Sequence, residues 1–208
     1  MRITPSEKSL SLTRAIAEDI PTFHHHYHIL WDIREQFYAD TPVTYLEIGT
    51  YAGASAALML SYHKPTFAYS IDVGTPIPQK TCEENISPYI RPGSTHTYLK
   101  GNSKNKNIRD TVSKVLSNAV DILFIDGDHS ETAVALDFFN YAPLVKQGGF
   151  VVFDDYEDAQ SSPDVKKAVN KIVPKVYDDF DIYTLPANTL SAKPKELQLY
   201  NEFILRRK

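Results

Sequence analysis

Two stretches of the chain aim polar side chains from the ends of apolar runs. In DILFIDGDHSETAV, residues 121–134, the run Ile122, Leu123, Phe124, Ile125 leads straight into Asp126, Asp128 and His129. In GGFVVFDDY, residues 148–156, a second run ends on Asp154 and Asp155. Carboxylates grouped beside an imidazole suit two kinds of chemistry. The carboxylates can hold a hard divalent cation, which prefers oxygen ligands. An imidazole, with an ordinary pKa of about 6.5, can accept a proton at neutral pH.

A third apolar run, YLEIGTYAGASA at residues 45–56, ends in a different way. Gly49 and Gly53 bracket a turn between strand and helix, where backbone can approach a ligand closely. Asp72 ends the next apolar run, near the spacing of about 20 residues at which a carboxylate meets ribose hydroxyls in a nucleotide-type cofactor. The stretch GTYAGA lacks the G-x-G-x-x-G of a dinucleotide fold, and no G-K-[ST] phosphate loop occurs in the chain.

These residues need elements to place them. Residues 9–20 and 22–38 read as helices; in the second, Phe23, Tyr27, Leu30, Trp31 and Phe37 share a face. VTYLEIG, FAYSID, THTYLKG, residues 120–126 and residues 149–154 read as strands. Between them SAALMLSYH, NKNIRDTVSKVLS and residues 130–142 read as helices, while residues 74–93 form a Pro-punctuated segment. A helix near 164–173 precedes FDIYTL and LQLYNEFILRR, two final strands that pair antiparallel. Apolar strands separated by helices predict an α/β fold, its mostly parallel sheet covered on both faces. Ligands of such sheets bind beyond the carboxyl ends of the strands, where both acidic groups lie. The chain reads as one domain over 1–208: residues 1–41 as a helical layer or lid, 42–208 as the core.

Composition narrows the function classes. The 208 residues carry a net charge of −4, so no electrostatic footprint for nucleic acid is present. No run approaches membrane-spanning length, and the first residues lack the apolar centre of a signal peptide. Cys82 stands alone, which excludes an internal disulfide and fits a reducing, cytoplasmic compartment.

LEIGTYAGASA resembles the first motif of class I S-adenosylmethionine (SAM)-dependent methyltransferases, and its E-I-G-T opening resembles the metal-dependent O-methyltransferase branch. YSIDVG resembles the second motif, LKGNS the third, and DILFIDGDHS with LVKQGGFVVFDDY the fourth and fifth. The resemblance implies a Rossmann-like, seven-stranded, mostly parallel sheet closed by a C-terminal antiparallel hairpin. It assigns Glu47, Gly49, Thr50 and Gly53 to the methionine part of SAM, Asp72 to the ribose, and Asn102 with Ser103 to the adenine. In catechol-type and macrolide-sugar enzymes an aspartate after the fourth strand and an acidic pair after the fifth hold Mg²⁺. Those positions are Asp126, Asp154 and Asp155, with Mg²⁺ or Mn²⁺ as the ion. The base in these families lies three residues beyond the first metal aspartate. Catechol-type enzymes have a lysine there and the sugar enzymes a histidine; here it is His129. The implied reaction is methylation of a sugar hydroxyl, with a deoxyhexose such as rhamnose, free or in a glycan or glycoside, as acceptor.

Other readings stand beside these. Asp128 reads as a helix cap, with Glu131 at the capping-box distance, and metal contact is its alternative. Adjacent residues of a regular strand face opposite ways, so Asp154 and Asp155 can both reach one ion only where the strand ends. HHHYH at 24–28 puts His24 and His28 one turn apart, and with no Cys or acidic partner nearby they read as exposed helix positions, with an acceptor-side contact as the alternative. Tyr89, Arg91, Tyr27 and Trp31 are candidates for a sugar-facing wall, and equally for ordinary packing. A metal-independent methyltransferase and a non-catalytic SAM-binding protein remain the alternatives. The expected partners are a small-molecule or glycan acceptor and no nucleic acid or membrane, with a homodimer allowed.

Overall fold

The computed structural model describes residues 3–4, 6–22, 27–183 and 202–208. Its centre is strand β4 (Val120–Ile125), in which every residue is buried. An unbroken apolar strand requires cover on both faces and a neighbour on each side. β1 (Val43–Ile48) and β5 (Val145–Phe153) flank it in parallel, β2 (Thr66–Asp72) pairs with β1, and β3 (Thr95–Lys100) pairs with β2. β7 (Phe203–Arg207) runs antiparallel to β5, and β6 (Phe180–Tyr183) antiparallel to β7. The sheet order is therefore β3-β2-β1-β4-β5-β7-β6, with β7 alone reversed. This is the expected seven-stranded, mostly parallel sheet with its C-terminal antiparallel hairpin. Residues 184–201, which include the first part of LQLYNEFILRR, lie outside the described residues.

Two cores sandwich the sheet. On one face α5 (Lys106–Leu116), α6 (Glu131–Tyr141) and α7 (Pro163–Val176) cover Leu46, Leu123, Val151 and Phe153. On the other, α1 (Glu7–Asp19), α2 (His28–Tyr38) and α3 (Ala54–Leu60) cover Tyr45, Ile122, Phe124 and Phe150. Phe124 is fully buried, and its truncation to Ala would cost about 3–5 kcal/mol. No helix among the described residues is long and apolar enough to cross a membrane.

Several expectations need correction. The segment 74–93 holds a helix, α4 (Gln79–Ile86), started by Pro78 and packed through buried Cys82 and Ile86. Its eight residues, with two prolines before and two after, hide the helical period. β5 begins at Val145 rather than 149. His28 is 1% exposed at the start of α2, not on its surface, and His24 lies outside the described residues. Trp31 is core, edge-on to Tyr62 at 4.7 Å. Tyr89 donates to Asp19 (2.7 Å) and Arg91 to the Ser61 carbonyl (3.2 Å), so both tie loops together.

Candidate active site

The backbone ladder sets the strand tips level with one another. One step past the paired residues, Gly49 N–H donates to the Ile71 carbonyl, Gly101 to Asp72, Asp126 to Ile48 and Asp154 to Ile125, at 2.8–3.0 Å. Five loops thus leave the sheet side by side and enclose a cavity of about 1210 Å³. That volume is enough for a nucleoside-sized cofactor with a second small molecule.

One wall comes from the β1–α3, β2–α4 and β3–α5 loops. Gly49, Thr50, Tyr51, Ser55, Asp72, Asn102 and Ser103 all line it. Gly49 has φ +86°, and a Cβ there would sit 1.9 Å from the Asp126 carbonyl oxygen. Its glycine therefore lets two strand tips abut. Gly53, at φ +98°, is closed off by Ile86 and does not line the cavity; it allows α3 to pack on α4. Asp72 accepts from the Thr50 and Tyr51 amides (2.9 and 3.1 Å) and from Gly74 (2.6 Å), fastening this wall together. Glu47 is fully buried behind the wall rather than in it. Burial raises its pKa against the pull of its hydroxyl partners, among them Tyr45, Ser55 and Ser70. Ser55 and Tyr51, which sequence reasoning passed over, are lining residues; the only signal for Ser55 was a hydroxyl directly after the glycine turn.

The opposite wall carries the acidic group. Asp126, His129 and Asp154 each bring a ligand atom within 4.8 Å of the others. His129 Nε2 lies 3.3 Å from Asp126 Oδ1, and Nδ1 lies 2.9 Å from Ser162 Oγ and 3.3 Å from Asp155 Oδ2. The Ser162 hydroxyl donates to Asp155 (2.7 Å), so it accepts from Nδ1–H, and Nε2 faces Asp126. Removal from bulk water, then the neighbouring Asp154 carboxylate, raises the Asp126 pKa well above the ordinary value. An imidazole nitrogen and two carboxylates converge here, and the raised Asp126 pKa reflects the cost of two negative charges in one place. The donor set of nitrogen and carboxylate oxygens fits a divalent cation.

This arrangement modifies the expected metal set. β5 ends at Phe153 and Asp155 takes φ +55°, which turns both acidic side chains inward. Asp154 then faces Asp126, while Asp155 turns to His129 and Ser162. The atoms that converge are those of Asp126, His129 and Asp154; Asp154 is fully buried, while Asp155 lines the cavity beside His129. Ser162, 33 residues from His129, carried no signal of this contact in the sequence.

Asp128 is not the helix cap. Ser130 occupies the N-cap of α6, and Asp128 accepts from its amide (3.0 Å) while pairing with Lys104 at 2.8 Å. Lys104 holds the Asp128 carboxyl down to about 2. That pair joins the two walls at the rim. Pro21, Thr22 and Tyr27, from the connection between α1 and α2, also line the cavity, as do residues 157–161.

A sheet in this order, with one reversed strand and a cavity across its carboxyl ends, is the class I SAM-dependent methyltransferase fold. The methyltransferase domain family matches residues 46–156, just over half of the chain, and the chain belongs to that family. An uncharacterized protein of Acanthamoeba polyphaga mimivirus is 38% identical over 199 residues, covering 89% of this chain and 88% of its own. Among solved structures, the MycE methyltransferase of the mycinamycin biosynthetic pathway, in complex with Mg and S-adenosylhomocysteine (SAH), aligns with a TM-score of 0.65 at 16% identity. The alignment takes in 98% of this chain but 55% of MycE, so the chain spans about half of that protein's length. An O-methyltransferase from Bacillus cereus in complex with SAH aligns with a TM-score of 0.63 at 14% identity, over 99% of this chain and 93% of its own.

Proposed function

We propose that the protein transfers the methyl group of SAM to a sugar hydroxyl, with Mg²⁺ or Mn²⁺ held by Asp126 and Asp154. The observation that carries this reading is the contact of His129 Nε2 with Asp126 on the wall of a cavity that has room for cofactor and acceptor together. A sugar hydroxyl is a poor nucleophile until it loses its proton, so the site needs a base. His129 supplies one, with Nδ1–H fixed by Ser162 and Asp155 and Nε2 turned toward Asp126. The ion, when bound, would lower the pKa of a hydroxyl that touches it. Asp72 and the wall from Gly49 to Ser55 hold the cofactor, with Asn102 and Ser103 at its adenine end. In-line placement of the methyl group between the two walls then supplies most of the remaining acceleration.

The charge of the lining supports a neutral acceptor. Asp72, Asp126, Asp128, Asp155, Glu157 and Asp158 face the cavity, and Lys104, already paired with Asp128, is the one lysine or arginine among the described lining residues. Nucleic acid, which needs cationic contacts for its phosphates, fits this surface poorly. MycE and its Mg complex support the metal and, through the branch that the sequence resembles, a deoxyhexose acceptor such as a rhamnoside. A reducing, cytoplasmic setting accords with Cys82, free and buried.

A second reading makes His129 a ligand of the ion, as its convergence with Asp126 and Asp154 allows. The acceptor reading is tested with labelled SAM and a panel of rhamnosides, other sugars and catechols. A mono-O-methylated sugar is the expected product; exclusive methylation of catechols or of protein side chains would contradict it.

A further inference from the structure

Behind the cofactor wall lies a line of buried hydrogen bonds that crosses three strands. Glu47 Oε2 accepts from Tyr45 (2.7 Å) and from Ser55 (2.8 Å), and its Oε1 accepts from Ser70 (2.8 Å). Ser70, fully buried on β2 and paired in register with Glu47, also lies 2.9 Å from His96 Nε2 on the edge strand β3. A serine hydroxyl has a single proton, and Ser70 gives it to Glu47. His96 must therefore donate, which fixes its neutral tautomer with the proton on Nε2. The line has one polarity: His96 to Ser70, Ser70 to Glu47, with Ser55 donating to Glu47 from the cavity side. Ser55 is the one member that lines the cavity. Having given its proton to Glu47, its oxygen can only accept from whatever occupies that wall.

We propose that His96 and Ser70 are positioning residues for the cofactor: through Glu47 they fix the orientation and acceptor character of Ser55. The proposal rests on the reading that this wall holds SAM. The cost of burying Glu47 argues for such a role. A carboxylate without water is stable as an anion only while several donors face it. An apolar pair at positions 47 and 70 would pack between these strands without that cost, and the donors are spent on one oxygen pair that ends at the cavity. Burial holds the His96 pKa down to about 4, so the ring stays neutral and keeps the same polarity across the neutral range. The other titratable groups that bear on Glu47 are Tyr45 on its own strand, Cys82 on α4 and Asp126 at the tip of β4.

SAH binding measured by calorimetry at pH 6 and pH 8 tests this, with thermal melting as a control for the fold. Ser70→Ala takes one donor from Glu47 and should weaken SAH by about 3- to 10-fold at pH 8. Burial already raises the Glu47 pKa, so the loss should grow as pH falls. In a Glu47→Gln background Ser70→Ala should add no pH dependence. His96→Leu should produce a smaller loss in the same direction, and His96→Gln, whose amide can donate to Ser70, should restore affinity. Should Ser70→Ala fail to fold, the His96 pair on the edge strand decides alone. Unchanged SAH affinity and pH profile in Ser70→Ala and His96→Leu, with Ser55→Ala impaired, would overturn the relay and leave the cofactor wall standing. Failure of the unsubstituted protein to bind SAH at all would overturn both.

Discussion

Asp155 and His129 reach each other from different strand ends, with Asp155 Oδ2 3.3 Å from His129 Nδ1 and Ser162 bridging them. The pair gives the ring an orientation and a tautomer, as a base needs. His129→Ala should therefore lower turnover by about 10²- to 10⁴-fold with SAM affinity kept. Mn²⁺ titration of the same variant separates base from ligand. Unchanged ion affinity is expected of a base, and a marked loss would make His129 a ligand.

Ser162→Ala should cost about 10-fold in turnover, the worth of about 1.4 kcal/mol for one hydrogen bond, while SAM affinity stays put. Steady-state kinetics with saturating SAM reads this directly. A rate equal to that of the unsubstituted enzyme would mean that the ring is held by packing alone.

Asp72→Ala removes the expected ribose acceptor and also frees the Thr50 and Tyr51 amides. Affinity for SAM and SAH should fall by about 1.5–3 kcal/mol. Asp72→Asn, which keeps one acceptor oxygen, should fall less. Calorimetry showing no change for Asp72→Ala would remove Asp72 from the site.

Much of this was legible before any coordinates. β4 and β5 announced themselves because buried parallel strands must be apolar throughout, and the polar residues that break such runs mark the strand tips. Asp126, His129, Asp154 and Asp155 were found that way, and the structure brings them together, with Asp126, His129 and Asp155 lining the cavity and Asp154 buried beneath them. The sequence could not show which way each side chain turns. Asp155 faces the ring rather than Asp126 because of a left-handed backbone at a non-glycine residue, which no periodicity records. Glu47 lies behind the wall and Gly53 serves helix packing, since a motif marks neighbours in the chain and not the direction of approach. α4 was lost among prolines. Ser162, Lys104 and Ser70 act through contacts between distant segments, and only the fold brings those together.

Asp137 gives a stability test. It is 1% exposed on α6, and burial raises its pKa from 3.8 to about 6 despite a hydrogen bond from Ser103. The folded chain then holds this proton more tightly than the unfolded chain, so stability falls as pH rises from about 4 to about 6 and stays low above. Asp137→Asn removes that fall. Chemical denaturation should show the variant gaining up to about 3 kcal/mol on the unsubstituted protein at pH 8 and nothing at pH 3.5. An equal difference at both pH values would contradict the shift.

Methyl transfer from labelled SAM to a rhamnoside, run with EDTA and then with Mg²⁺ restored, tests the central claim most directly. Chelation should abolish transfer and added Mg²⁺ should bring it back, with SAH binding retained throughout. Full transfer in EDTA would contradict a metal-assisted mechanism at Asp126 and Asp154, and no transfer to any sugar under either condition would contradict the acceptor.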